Sequence, residues 1–94
     1  MKAYLSESHR KDKKFQIVVN GKTIHFGQKG YEDFTIHGDP KRLINYINRH
    51  KKNEDWSNAD SPGFFSRWLL WNKPTLQESI ADVKRRFGLQ VIYK

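Results

Sequence analysis

Apolar and polar positions alternate with period two in two adjacent runs, Lys14-Phe15-Gln16-Ile17-Val18-Val19 and Lys22-Thr23-Ile24-His25-Phe26-Gly27. Asn20-Gly21 lies between them. That pair favours the positive φ angles of a two-residue hairpin turn. The turn fixes the register: Val19 opposite Lys22, Ile17 opposite Ile24, Phe15 opposite Phe26. These pairs share one face, and Gln16–His25 and Val18–Thr23 share the other, so hydrophobic pattern and turn chemistry agree. The period then changes to that of helices. Asp39-Pro40 opens one that runs to about Lys51, with Leu43, Ile44, Tyr46, Ile47 and His50 on its apolar side. A second, Gly63 to Pro74, holds the densest set of large apolar side chains. Phe64, Phe65, Trp68, Leu69 and Trp71 share a face and Leu70 points the other way. Ser61 is its N-cap and Pro62 its first residue. A third opens at Thr75 with the capping-box partner Glu78, aligns Leu76, Ile80, Val83 and Phe87, and stops at Gly88. Leu89–Tyr93 reads as a strand joining the hairpin.

The fold class predicted from this order is α+β: an N-terminal β-hairpin, three helices packed on one face, and a C-terminal strand completing a small antiparallel or mixed sheet. Gln28–Gly38 reads as a loop pinned by its aromatics, and Asn53–Ser61 as a turn-rich link with Trp56 tucked against the core. Residues 1–13 read as a basic N-terminal arm that orders on a partner or stays loose, although Met1–Leu5 has the makings of a short strand. Residues 14–94 form the single globular domain.

Charge changes this picture more than size does. The 94 residues carry a formal net charge of +8, and the cations are clustered. One cluster is the arm and the start of the hairpin (Arg10, Lys11, Lys13, Lys14). The other is the polar side of the first helix (Lys41, Arg42, Arg49, Lys52, with Asn45 and Asn48), which contains no acidic residue. Such a surface calls for a polyanionic partner, nucleic acid first, an anionic membrane face, or acidic patches on another protein. There is no cysteine, which excludes disulfides and thiolate metal sites. No apolar run reaches the ~20 residues of a membrane span, and no signal-peptide pattern opens the chain, so neither membrane insertion nor secretion by that route is expected.

Catalytic chemistry is poorly represented. No serine sits in a nucleophile elbow, and the glycines are too widely spaced for a phosphate-binding loop. His9, His25, His37 and His50 match no metal-ligand spacing. Asp33, Asp39, Glu54, Asp55 and Asp60 are the carboxylates a metal-dependent nuclease would need, but Asp39 and Asp60 also suit helix caps and Glu54 an ion pair with a nearby lysine or arginine. The expectation is a protein that is not an enzyme and carries no cofactor and no metal.

Several segments together resemble a known family: Lys22–Gly27, Lys29-Gly30-Tyr31, Thr35-Ile36-His37, Arg49-His50-Lys51-Lys52-Asn53-Glu54-Asp55-Trp56, and Gly63-Phe64-Phe65-Ser66-Arg67-Trp68-Leu69-Leu70-Trp71-Asn72-Lys73-Pro74. They are similar to small basic proteins of uncharacterised function encoded by large DNA viruses of algae and protists and by some tailed phages, which have a similar lysine-rich opening and a close like Arg86-Phe87-Gly88. The resemblance covers nearly the whole chain. It implies a viral source, one domain, no assigned enzyme activity, and a place in the virion or the infected host cell, whether on the packaged genome or in the capsid lattice. It carries over no active site. The first functional expectation is a virion-associated protein binding nucleic acid without sequence specificity through Arg10, Lys11, Lys13, Lys14, Lys41, Arg42, Arg49 and Lys52. The alternative is a minor capsid or cement protein whose basic surface meets acidic patches of other virion proteins.

Overall fold

The computed structural model describes residues Met1–Lys94. The chain runs through β1 (Lys2–Glu7), β2 (Lys13–Val19), β3 (Lys22–Gln28), α1 (Phe34–His37), α2 (Pro40–His50), α3 (Pro62–Phe65), a π-helical stretch (Ser66–Leu70), α4 (Leu76–Phe87) and β4 (Gln90–Tyr93). The four strands form one mixed sheet in the order β3-β2-β1-β4, so the fold is α+β.

The β2–β3 hairpin has the register its turn dictates. Val19 faces Lys22, Ile17 faces Ile24 and Phe15 faces Phe26, with Asn20 and Gly21 at φ 52° and 74°. The N-terminal segment is the main correction to the sequence reading. Residues 2–7 are not a loose arm but an interior strand, antiparallel to β2 and parallel to β4. Ala3 and Leu5 are fully buried and alternate with exposed Lys2 and Tyr4. The strand alternative for Met1–Leu5 is the one the structure bears out, extended to Glu7. Hydrogen-bonded neighbours on both sides hold it, a gain that exists only in the assembled sheet. What remains of the arm, Ser8 to Asp12, is the β1–β2 turn, closed by bonds from Ser8 N–H to the Lys14 carbonyl and from Lys29 N–H to the Asp12 carbonyl. β4 enters the sheet beside β1 rather than beside the hairpin.

One face of the sheet presents Ala3, Leu5, Ile17, Val19, Ile24, Phe26 and Val91 to Phe64, Phe65, Leu69, Leu70 and Val83, and these make one core with Leu89. The opposite face is open to solvent, with Tyr4 41% and Val18 37% exposed. The Trp-rich segment starts as foreseen, with Ser61 Oγ accepting from Phe64 N–H and Pro62 in the first turn. It then widens: Trp71 N–H bonds to the Ser66 carbonyl five residues back, at 3.0 Å. The wider turn brings both Leu69 and Leu70 into the core where a regular helix would separate them. Leu70 is accommodated by Gly27, at φ 77°, where a Cβ would stand 2.7 Å from Leu70 Cδ1. α4 is capped by Thr75, whose hydroxyl accepts from Glu78 N–H and donates to Glu78 Oε1, and it ends at Gly88 with φ 67°.

The segment read as a loop contains α1, capped by Asp33, whose side chain accepts from Thr35 N–H. α2 is capped by Asp39 as its sequence indicates. Its seat is different from that of the other helices, because Tyr46 is its one buried residue and Ile44 is 56% exposed. No helix is long and apolar enough to cross a membrane.

Candidate functional site

Between α2 and the open end of the β2–β3 hairpin lies a cleft of ≈ 630 Å³. Its floor is aromatic. Tyr46 and Trp71 stack at 4.4 Å with their rings 3° from parallel, and His50 stacks on Tyr46 at 4.3 Å. The Tyr46 hydroxyl donates to Ser66 Oγ at 3.3 Å. Burial raises the pKa of that phenol against the opposing effect of the Ser66 bond. One wall carries Arg42, Asn45 and Arg49, spaced at i, i+3 and i+7 so that they share a helix face. Lys13, Gln28 and Tyr31 stand on the opposite side. Cations from two distant sequence segments therefore border one space.

The eight cations expected to contact a polyanion do not all converge. Lys13, Lys14, Arg42 and Arg49 border the cleft. Arg10 and Lys11 are exposed in the β1–β2 turn next to Lys13, and Lys41 and Lys52 are exposed outside the cleft. Lys14 is a correction. Its Nζ donates to Asp33 Oδ2 at 2.6 Å, with the Asp33 side chain only 3% exposed, so its charge neutralises a buried carboxylate. Arg42 pairs with Glu32 at 3.1 Å, but both side chains are about half exposed, and such a pair exchanges readily for another anion. Arg10, Lys11, Lys13, Lys41, Arg49 and Lys52 make no ion pair.

The carboxylates a nuclease would need are held apart by structural partners. Asp33 takes Lys14 and the backbone and hydroxyl of Thr35. Asp39 caps α2, and Asp60 pairs with Lys22. Glu54 faces the cleft, yet Oε1 accepts from Trp56 Nε1 at 2.7 Å and Oε2 lies 3.2 Å from His50 Nδ1. Asp55 bonds to Ser57, and those bonds lower its pKa. No three His, Asp or Glu side chains come together as a metal site.

All three tryptophans are half-buried: Trp68 and Trp71 pack against the core, and Trp56 lies by Tyr46 and Arg67 instead of in the core. Trp68 Nε1 donates to the Trp56 carbonyl at 2.8 Å, and the Trp68 ring lies under the guanidinium groups of Arg67 and Arg86 at 4.3 and 4.9 Å. Burial lowers the pKa of Arg67, whose Nη1 donates to the Trp71 carbonyl. The exposed aromatics are Tyr31 at the cleft mouth, Tyr4 on the open sheet face, Tyr93 in β4 and Phe87 at the end of α4. Of the aromatics expected to pin the 28–38 loop, Phe34 is buried but Tyr31 is 66% exposed.

No curated protein and no solved structure matches the chain. Residues 3–50 match DUF5754, described as a family of unknown function. That span runs from β1 to the end of α2. It includes every expected cation except Lys52 and stops short of the Trp-rich segment. With half of its length inside that match, the chain belongs to this family of unknown function, DUF5754.

Proposed function

We propose that the protein binds nucleic acid without sequence specificity, along the rim of the α2 cleft. The observation that carries this reading is the convergence of Lys13, Arg42 and Arg49 on one cleft, next to the unpaired Arg10 and Lys11. Phosphates of one strand would bridge from the β1–β2 turn to α2, and cations on long flexible stems suit backbone contact rather than base reading. Arg42 would release Glu32 on binding. Lys41 and Lys52 would extend the track along the outer side of α2. Lys14 takes no part. The resemblance to virus-encoded proteins supports a packaged or replicating viral genome as the polyanion, in the virion or the infected cell.

The test is binding of a fluorescent 20-base-pair duplex and a matching single strand across a salt series. We expect micromolar or tighter binding with a steep salt slope. Arg42→Ala with Arg49→Ala should weaken all sequences equally and reduce the slope by about 2. Unchanged binding by that double variant removes α2 from the interface.

A second reading, a minor capsid or cement protein, is favoured by exposed apolar side chains on adjoining helices, Ile36 of α1 at 59% and Ile44 of α2 at 56%. Exposed apolar groups mark protein contacts where they form a continuous patch. Absence of nucleic-acid binding at low salt, together with tight binding to a capsid protein, would decide for it.

A further inference from the structure

The face of the sheet away from the helices has a composition of its own. In register, one row crosses all four strands: Ile92, Tyr4, Val18 and Thr23. The next row holds Ser6, Gln16 and His25. Lys2 and Lys94 lie at the β1–β4 side, with Lys94 Nζ 5.4 Å from the centre of the Tyr4 ring. At the other end of the face, His9 meets His25 edge-on at 5.1 Å, and Ser8 Oγ lies 2.8 Å from His25 Nδ1. Burial, then the charges of Arg10 and His9, lower the pKa of His25, and Lys13 adds to the effect while Asp12 opposes it. The strand positions on this face include no carboxylate. Glu7 stands opposite Phe15 of the inner set.

We propose that this open sheet face binds single-stranded nucleic acid, with bases laid on Tyr4, Val18 and Ile92 and phosphates held by the His9, Arg10 and His25 corner and by Lys2 and Lys94. This rests on the nucleic-acid reading above but assigns a second surface, with a preference the α2 cleft does not have. A flat sheet displaying an aromatic between cations suits unstacked bases, which offer their ring faces in a single strand and hide them in a duplex. Charge complementarity points to a polyanion. A second copy of this chain would set lysine against lysine across the interface. A neutral protein partner would find one narrow apolar row bordered by Ser6, Gln16, Thr23 and Gln90, short of the apolar centre that a stable interface of ~800 Å² per side contains.

The experiment uses the full chain, a ten-nucleotide thymidine strand and a ten-base-pair duplex, followed by amide chemical shifts and by anisotropy. The strand is expected to shift the amides of Tyr4, Val18, His25 and Ile92. Tyr4→Thr, a strand former at an exposed site, should weaken strand binding about tenfold while leaving duplex binding within about twofold. Tyr4→Phe, which keeps the ring, should bind as the parent does, and melting curves of both variants report any loss of fold. If the strand shifts only cleft residues such as Arg42 and Arg49, and Tyr4→Thr binds it normally, the sheet-face proposal is overturned and the cleft reading stands. Sheet-face shifts that grow with protein concentration without any oligonucleotide would assign the face to a second copy instead. Binding of neither oligonucleotide by the parent protein would overturn both.

Discussion

Helices α2 and α4 look alike in sequence and differ in how they are held. Each opens on a side-chain cap, Asp39 or Thr75, and each carries an apolar stripe. α4 lies on the sheet core with Val83 1% exposed, and it leads through Gly88 directly into β4. Even its buried polar residues are satisfied. Ser79 Oγ accepts from Lys73 N–H, and Asp82 accepts from Asn72, Arg85 and Arg86. α2 reaches the body mainly through one ring, Tyr46, stacked on Trp71. A helical stripe therefore shows which side of a helix is apolar, but not how deeply that side is covered. Depth is set by what the neighbouring segments leave open, and here α3 and the π-helical stretch occupy the inner face of the sheet ahead of α2.

Substitutions in the two helices should separate accordingly. The largest effect is expected from Val83→Ala, which removes two buried methyl groups and leaves a cavity. It should lower global stability by about 2–3 kcal/mol in denaturant titrations, and a loss below ~0.5 kcal/mol would mean that α4 is as loosely held as α2. Asp82→Asn is next. Burial alone would raise the Asp82 carboxyl, but hydrogen bonds from Asn72 and Arg86 and the charges of Arg86 and Arg85 outweigh it and hold the pKa below 3.8. A carboxylate with a depressed folded-state pKa stabilises above its unfolded value, and that stability is lost as pH falls below about 3.8. The substitution should cost roughly 1–3 kcal/mol at neutral pH and flatten the acid limb of the stability curve. An unchanged acid limb would place the acid sensitivity elsewhere. Tyr46→Ala should act locally. Amide exchange is expected to lose protection along Leu43–His50 while β1 and β2 keep theirs, whereas cooperative loss across the whole chain would show that α2 belongs to the core after all. Ile44→Ala, at an exposed site, should change stability by less than about 0.5 kcal/mol.

His25 gives a smaller, pH-dependent effect. Because its folded pKa lies below 6.5, the unfolded chain takes up the proton first, and stability falls as pH drops below that value. Replacing His25 with Gln should remove that slope in melting curves between pH 5 and about 7.

What the sequence made legible was local chemistry. The Asn20-Gly21 turn set every hairpin pair, and Asp39, Ser61, Thr75 and Gly88 marked helix ends because each contributes a cap without help from tertiary contacts. Met1–Leu5 could be read as a short strand, but its place inside the sheet was hidden because Ala3 and Leu5 acquire their burial from strands elsewhere in the chain. The π-helical stretch was hidden because it answers to Leu70 meeting Gly27 across the core. At the site, clustering identified the cations, and Lys13, Arg42 and Arg49 do border one cleft. Lys14 could not be told from its neighbours, since only the fold brings Asp33 beside it. The exposure of Tyr4 and Tyr31 had no local signal, since it depends on which sheet face and which cleft edge the fold leaves open.

The placement of β1 also bears on the order of folding. Lys2 pairs with Gln90 and Leu5 with Tyr93, so β1 waits for a strand made more than eighty residues later. While the chain is being synthesised, β1 can pair with β2 soon after both emerge, but its other edge stays open until β4 has been made. Closing so long a loop is slow relative to forming the hairpin or the helices. During that interval an unpaired edge with Ala3 and Leu5 beside it is available to any extended segment nearby. The step that docks β4 is thus the one at which correct folding competes with association between chains, and refolding yield should depend on protein concentration more steeply than the stability of the finished fold would suggest.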